Sequence, residues 1–92
     1  MKIQYICEFT TLARLHSFLK AAEELHISQA TLSRHIKRME EEMGVLLFER
    51  TTRYVCLTKE GRIFLSYAIA IQDLYGKFKS AFHVQLANNS EK

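Results

Sequence analysis

The side chains most able to do chemistry in this chain lie close together, in residues 28–38. Arg34, Lys37 and Arg38 follow one another there with no acidic residue in the stretch. Gln29 could form paired hydrogen bonds with an adenine edge, and Arg34 could do the same with guanine. A run of cations is more often a solvated helix face, so its position in the fold has to decide between solvation and phosphate contact.

Other kinds of chemistry find little support in the sequence. It contains no GxSxG, HExxH, GxGxxG or Walker pattern, and its four histidines lack metal-ligand spacing. We therefore predict no enzymatic activity, no metal and no cofactor. Cys7 and Cys56 are too few and too far apart for a disulfide framework. Together with the lack of a signal peptide, they favour a reducing, cytoplasmic location.

The amino-acid composition limits the classes of protein to which this chain can belong. The chain has 92 residues, of which 48% are apolar and 25% charged, and its net charge is +3. These values are typical of one small globular domain rather than of a disordered tail. Proline is absent and only three glycines occur, which favours long helices. The apolar stretches are much shorter than the ~20 residues of a membrane span, so no membrane partner is predicted.

Three helices are predicted before residue 44. Apolar residues recur at helical spacing over residues ~3–14, and again over 18–25 after a possible N-cap at Ser17. Ser28 is a second candidate N-cap, and the helix that follows ends before Gly44. The turn between the second and third helices contains His26, a residue that tolerates positive φ better than most.

The third helix has two different faces. Its predicted core stripe consists of Leu32, Ile36, Met39 and Met43. The opposite face holds Ala30, Ser33, Arg34, Lys37, Arg38 and Glu41. His35 lies between them, either beside the basic face or at the core edge. The acidic residues 40–42 are predicted to form a solvated helix end, although the helix dipole disfavours them there.

A hairpin is predicted next, with strands over residues 46–50 and 55–58. Both runs are rich in aliphatic, aromatic and β-branched residues, and a short polar run separates them. Its tip would expose Arg53, with Arg50 close by. Two short helices joined by a tight turn and followed by such a hairpin form a winged helix-turn-helix, so the predicted fold class is mainly α.

A long helix is predicted from Thr58, its N-cap, to about Ala87. It would span about 45 Å, more than a domain of this size can cover. One apolar row comprises Phe64, Ala68, Ile71, Tyr75, Phe78 and Phe82, and a second comprises Ile63, Tyr67, Ala70 and Leu74. Two rows need two partners, which we expect to be the domain's own core and a second copy of the chain.

Two functional classes remain open on the residues alone. One is sequence-specific DNA binding, favoured because Gln29, Ser33 and Arg34 share one low-profile side of the third helix. The other is a helix-turn-helix that docks protein or only dimerises, with its cations solvated. A docking surface would favour exposed aromatic residues on that side.

Four segments of the chain resemble one family. They are residues 21–36 (AAEELHISQATLSRHI), Met39-Glu40, residues 44–50 (GVLLFER) and residues 57–61 (LTKEG). Together they resemble the N-terminal DNA-binding domain of LysR-type transcriptional regulators, and the similarity covers residues 3–85. The resemblance implies a winged helix-turn-helix over residues 1–58, a linker and dimerisation helix over 59–87 and a polar tail over 88–92.

The same resemblance implies how the protein works. It implies a homodimer formed by antiparallel pairing of the long helices, bound to an interrupted palindrome in a bacterial promoter. A small-molecule effector would act only through a larger C-terminal domain, which this chain lacks. The chain is therefore expected to be a fragment, with a stand-alone small regulator as the alternative.

The family pattern also assigns residues. Gln29, Ala30, Ser33 and Arg34 would meet bases or adjacent phosphates. Thr31 and Lys37 would meet the DNA backbone, and Arg53 the minor groove. With Arg50 of the wing, these complete the predicted DNA-binding set. The predicted dimer contacts are Ile71, Leu74, Tyr75, Phe78 and Phe82.

Three positions depart from the family pattern. Ala30 stands where Pro or Ser is frequent, and it leaves only a methyl contact. Met39 replaces the usual Leu, and Glu60 replaces a small residue. Glu60 would either weaken the junction between wing and helix or favourably cap the helix N-terminus.

Overall fold

The described part of the chain consists of four helices and one hairpin. A computed structural model describes residues 1–51 and 54–90, the last eight as backbone only. In chain order the elements are α1 (Ile3–Leu15), α2 (Phe18–Leu25), α3 (Gln29–Met43), β1 (Phe48–Arg50), β2 (Val55–Leu57) and α4 (Lys59–Ser90). The strands pair antiparallel, with Phe48 opposite Leu57 and Arg50 opposite Val55. The predicted winged helix-turn-helix followed by a long helix is confirmed.

Hydroxyl caps set where the helices begin. The Ser17 hydroxyl accepts a hydrogen bond from the Lys20 N–H at 3.1 Å, and the Ser28 hydroxyl accepts one from the Thr31 N–H at 3.0 Å. Each bond satisfies an N–H group that lacks an intrahelical partner in the first turn. Both predicted caps are confirmed, and they fix the first residues of α2 and α3.

Left-handed residues set where the first three helices end. His16, His26 and Gly44 have φ values of 54°, 58° and 72°. The positive φ expected at His26 is confirmed, whereas His16 was not singled out by the sequence. These sharp endings make the turns between α1, α2 and α3 short.

The core lies where the helices meet the wing. The Phe9 ring of α1 is fully buried, and its centroid lies 4.8 Å from that of Phe64 on α4 and 5.3 Å from that of Phe48 on β1. Leu12, Ala21, Ala22, Leu32, Ile36, Met39, Leu47 and Ala68 are also buried. Since Phe64 and Ala68 belong to α4, the first turns of the long helix are part of this core.

Two predictions on α3 were wrong. Met43, expected in the core, is 37% exposed, because it is the last helical residue and lies beyond the region that α1 and the wing cover. Glu40, expected to be solvated, is only 8% exposed. Its carboxylate accepts hydrogen bonds from the N–H groups of Leu47 at 2.8 Å and Phe48 at 3.3 Å. Glu41 and Glu42 are exposed as expected.

The junction between the wing and α4 is tightly built. The Thr58 N–H donates to the Leu47 carbonyl at 2.9 Å, and the Thr58 hydroxyl donates to the Leu46 carbonyl at 2.6 Å. The same hydroxyl accepts from the Gly61 N–H at 2.9 Å, which confirms the predicted cap. Both strands are shorter than predicted, because residues 46, 47 and 58 form this junction. Glu60 is exposed in the first turn of α4, where the helix dipole favours an acid.

The long helix extends well past the core. With 32 residues, α4 measures about 48 Å at 1.5 Å per residue, close to the longest dimension of the molecule, 58 Å. The helix continues past the predicted end at about Ala87 to Ser90, the last described residue, so the first three residues of the predicted polar tail are helical. None of the described helices is long and apolar enough to cross a membrane.

Candidate nucleic-acid interface

The N-terminal half of α3 presents an open polar face. Gln29, Ala30 and Arg34 are exposed, and Ser33 is half-buried. The Thr31 hydroxyl lies within hydrogen-bond distance of the Ser28 hydroxyl at 2.8 Å, and it accepts from Nη2 of Arg34 at 3.3 Å. The four side chains predicted to meet bases therefore lie within two turns of one helix.

The cationic side of α3 continues toward its C-terminus. Lys37 and Arg38 are both exposed. Nε of Arg38 lies 4.0 Å from Oε1 of Glu42, a contact between two exposed side chains that contributes little to stability. This side therefore keeps its positive charge available to an anionic partner.

Behind this face, α3 is fixed to α1 by a buried carboxylate. Glu8 is 3% exposed, and its Oε1 lies 2.6 Å from Nδ1 of His35. The His35 ring also stacks on Tyr5, with ring centroids 4.4 Å apart. His35 therefore lies at the core edge, which resolves the two positions left open by the sequence, and it holds α3 in place.

Arg50 connects the wing to two helices. Its guanidinium carbon lies 4.7 Å from the centroid of the Phe18 ring on α2. Nη1 donates to the Ser33 hydroxyl at 3.2 Å, and Nη2 lies 3.8 Å from Oε1 of Glu40. The predicted wing cation is thus bound to the protein itself, although its side chain keeps 38% exposure.

A shallow cleft of about 410 Å³ separates the polar face of α3 from the wing. Its walls are formed by Phe18, Gln29, Ala30, Ser33, Arg50, Thr51 and Val55. Three of the predicted base-contacting residues therefore border the same cleft as Arg50.

The hairpin is closed by hydrogen bonds on both sides of its tip. The Thr51 N–H donates to the Tyr54 carbonyl, and the Tyr54 N–H donates to the Thr51 hydroxyl, each at 2.9 Å. Nδ1 of His16 lies 3.1 Å from the Val55 carbonyl oxygen and joins the wing to the α1–α2 turn. Arg53, predicted to enter the minor groove, lies outside the described residues. Tyr54, the next residue in the sequence, was not singled out by the sequence and is 63% exposed.

The long helix carries the other predicted surface. Ile71, Leu74, Tyr75, Phe78 and Phe82 are all at least 37% exposed. The rings of Phe78 and Phe82 contact each other edge to face, with centroids 4.4 Å apart. The predicted dimer residues therefore form an apolar row that the described part of the chain leaves uncovered.

Metal chemistry finds no site among the side chains that the structure describes, those of residues 1–51 and 54–82. No cluster of three or more His, Cys, Asp or Glu side chains there could hold an ion. Cys7 is half-buried and Cys56 lies exposed on β2, and neither forms a disulfide.

The sequence missed the residues that position this interface. Glu40 was assigned to a solvated run, and Gly61 was quoted only as part of the family motif, with no structural role. A Cβ atom at Gly61 would lie 2.0 Å from the Leu47 carbonyl oxygen, so only glycine allows α4 to approach the wing this closely. The spacing does indicate that Glu40 is buried, because it lies four residues after the buried Ile36 and therefore on the same face of α3.

Comparison with known proteins gives one consistent result. The family described as "Bacterial regulatory helix-turn-helix protein, lysR family" matches residues 5–62. The chain is 40% identical to the transcriptional regulator CitR of Bacillus subtilis over 83 residues, which is 90% of this chain and 28% of CitR. It is 42% identical to the regulator BenM of Acinetobacter baylyi over 71 residues, 77% of this chain and 23% of BenM.

Solved structures agree with the sequence relatives. The DNA-binding domain of BenM in complex with catB site 1 DNA has a TM-score of 0.84 and 39% identity, over 87% of this chain and 90% of that one. The DNA-binding domain of CbnR in its DNA complex has a TM-score of 0.87 and 30% identity, over 92% of this chain and 98% of that one.

These similarities concern one module of longer proteins. The chain spans about a quarter of the length of CitR and BenM, and most of the length of the isolated DNA-binding domains. The relatives are named transcriptional regulators, which agrees with the prediction that the chain is not an enzyme. The chain belongs to the LysR family of bacterial regulatory helix-turn-helix proteins.

Proposed function

We propose that this chain binds double-stranded DNA sequence-specifically, with the exposed face of α3 in the major groove, as the N-terminal module of a regulator. The observation that carries the proposal is the shared outward face of Gln29, Ala30, Ser33 and Arg34 at the start of α3, beside the wing. A helix fits the major groove, and its N-terminal residues meet the base edges. Similarity to two domains solved in complex with DNA supports DNA binding by this chain.

Each residue has a role that follows from its chemistry. Arg34 has paired donors for guanine, Gln29 can pair with adenine, and Ala30 offers a methyl group to thymine. Thr31 and Lys37 contact the phosphate backbone. Arg53 enters the minor groove in this proposal. The absence of Phe, Tyr and Trp from α3 argues against the alternative of a protein-docking face.

Salt dependence tests the proposal directly. A duplex is selected from a randomised oligonucleotide pool with the 92-residue chain, and its affinity is measured by fluorescence anisotropy at increasing salt. We expect log affinity to fall linearly with log salt with a slope of several, because phosphate contacts release counterions. Binding that does not respond to salt, or no binding at all, would contradict the proposal.

We also propose a homodimer through α4. Phe78 and Phe82 are 57% and 50% exposed. Full burial of such a side chain is worth about 1.5–3 kcal/mol, so covering the exposed half of four rings contributes about 4 kcal/mol per dimer. An antiparallel pair would hold two α3 helices at a fixed separation and so match an interrupted palindrome.

A charge placed on this row tests the dimer. In sedimentation at micromolar concentration, we expect a dimer for the wild-type chain and a monomer for Phe78→Glu. Ser80→Glu is the matched control. It adds the same charge nearby on α4, but the helical period of 100° per residue places it on the opposite side from Phe78. The dimer would be refuted if the wild-type chain sediments as a monomer and Phe78→Glu binds the full palindrome as tightly as the wild type does.

The role of the whole protein follows as a wider proposal. We place the regulator in the bacterial cytoplasm at promoter DNA, with a small-molecule effector bound by a separate C-terminal domain. Genome-wide selection of fragments bound by this chain would test the promoter assignment and give the spacing of the half-sites. Fragments spread without preference for promoter regions would contradict it.

A further inference from the structure

The contacts of Arg50 point to a role distinct from binding DNA itself. The side chain extends from the last residue of β1 and contacts Phe18, Ser33 and Glu40, which belong to two different helices. A cation that serves only to contact phosphate would need no such set of partners. The guanidinium is instead held in one orientation by a ring on one side and a carboxylate on another.

Glu40, one of the partners of Arg50, is itself oriented by backbone groups. Oε2 of Glu40 accepts the N–H groups of Leu47 and Phe48, which leaves Oε1 toward Nη2 of Arg50 at 3.8 Å. Glu40 is almost fully buried, so its carboxylate has little freedom to turn. The chain of contacts therefore runs from the start of the wing through Glu40 and Arg50 to Ser33.

The last contact determines what Ser33 can offer a base. A guanidinium has only donors, so the Ser33 hydroxyl oxygen must be the acceptor at 3.2 Å. One of its two lone pairs is then occupied, and the positive guanidinium beside it disfavours a second donor at the remaining lone pair, so the hydroxyl is left mainly with its proton to donate. In the major groove that proton matches the acceptors of guanine, adenine N7 or thymine O4, and not the cytosine amino group.

We infer that Arg50 is a positioning residue for specificity: it holds the Ser33 hydroxyl as a hydrogen-bond donor, so that Ser33 selects against cytosine at one base pair. The inference rests on the proposed DNA binding and goes beyond it, because it assigns a base preference to a residue that does not touch the base. It also changes the expected role of Arg50 from a contact with DNA to a contact with Ser33.

The test compares variants on a set of duplexes that differ at single base pairs. The base pair read by Ser33 is the one at which wild-type preference disappears in Ser33→Ala. We expect Arg50→Met to abolish the bias against cytosine at that pair, a change of about three- to tenfold for one hydrogen bond. In the Ser33→Ala background, Arg50→Met should change that bias no further. The matched control, Arg38→Met, removes the same charge from an exposed arginine and should leave the bias intact.

The alternative outcomes are distinct. If Arg50 contacts phosphate, Arg50→Met weakens all duplexes alike, keeps the base bias and lowers the salt slope by about one. That result overturns the inference but leaves the proposed function standing, whereas failure of the wild-type chain to bind any duplex overturns both. If Arg50→Met does not fold, Arg50→Lys decides. Lysine keeps the charge beside Glu40 but replaces two donor nitrogens with one, so a fully retained base bias in that variant overturns the inference.

Discussion

Replacing Glu40 by alanine should destabilise this small domain more than any other single change of charge on α3. The substitution removes the acceptor of the Leu47 and Phe48 N–H groups and the carboxylate beside Arg50. Each buried donor left without a partner costs about 1–3 kcal/mol. Water reaches the loop in part, since Leu46 is 65% exposed, so we expect a total loss of about 2–4 kcal/mol.

That loss is large for a chain of this size. At about 0.05–0.15 kcal/mol per residue, the whole domain is stable by about 5–14 kcal/mol. Glu40→Gln should cost less, about 1–2 kcal/mol, because its amide oxygen can still accept from the loop while its amino group faces Arg50. The free energy of unfolding is measured by urea titration with far-UV circular dichroism. All variants are compared at one protein concentration, since dimerisation would make stability depend on it.

Glu41→Ala is the matched control for this experiment. It removes the same charge from the next residue of α3, but its side chain is exposed, so its effect should stay within about 0.5 kcal/mol. If Glu40→Ala and Glu41→Ala unfold at the same urea concentration with the same slope, the two loop hydrogen bonds contribute nothing measurable. The reasoning that connects the loop, Glu40 and Arg50 would then fail.

Three further predictions use the same structure. Arg34→Ala should cost about 1–3 kcal/mol on the selected duplex and relax base preference, while Lys37→Ala should weaken all duplexes alike; uniform losses for both in anisotropy titrations would make Arg34 a phosphate contact. Gly61→Ala should lower the melting temperature by several degrees or prevent folding, because its Cβ would lie 2.0 Å from the Leu47 carbonyl oxygen. An unchanged melting curve would show that the wing and α4 can move apart to make room for the methyl group. His26→Val should be about 1–2 kcal/mol less stable to urea than His26→Gly, since φ at this position is 58°, and equal stabilities would refute the strain.

The sequence predicted most of the helical framework because local chemistry determines it. Ser17, Ser28 and Thr58 each accept an N–H group three residues later in the chain, and Gly44 takes the left-handed conformation that ends α3. These interactions need no partner from elsewhere in the fold. The buried stripe of Leu32, Ile36 and Met39 then fixes which side of α3 faces the core, so the side chains proposed to meet DNA were placed on the opposite face from spacing alone.

Helical periodicity predicts which side of a helix a residue lies on. It does not predict how far along the helix the core extends. Met43 points the same way as Leu32 and Ile36, yet it is exposed because the core ends before the last turn of α3. Glu40 lies toward the edge of the buried stripe, and its residue type suggested solvent. Its burial depends on two N–H groups of the following loop, and their position is a property of the tertiary structure.

The positioning residues were harder to predict than the residues they position, and one physical reason covers both Arg50 and Glu40. A side chain that meets DNA must be exposed, polar and on one helix face, and each of these properties is visible in a single segment. A side chain that orients another is defined by groups from several segments. In the sequence the acidic run and the wing arginine are separate features, although Oε1 of Glu40 lies 3.8 Å from Nη2 of Arg50 in the fold. Since Arg50 also donates to Ser33, the surface of α3 is set in part by the wing beside it, and a change in the wing should alter which bases α3 can read.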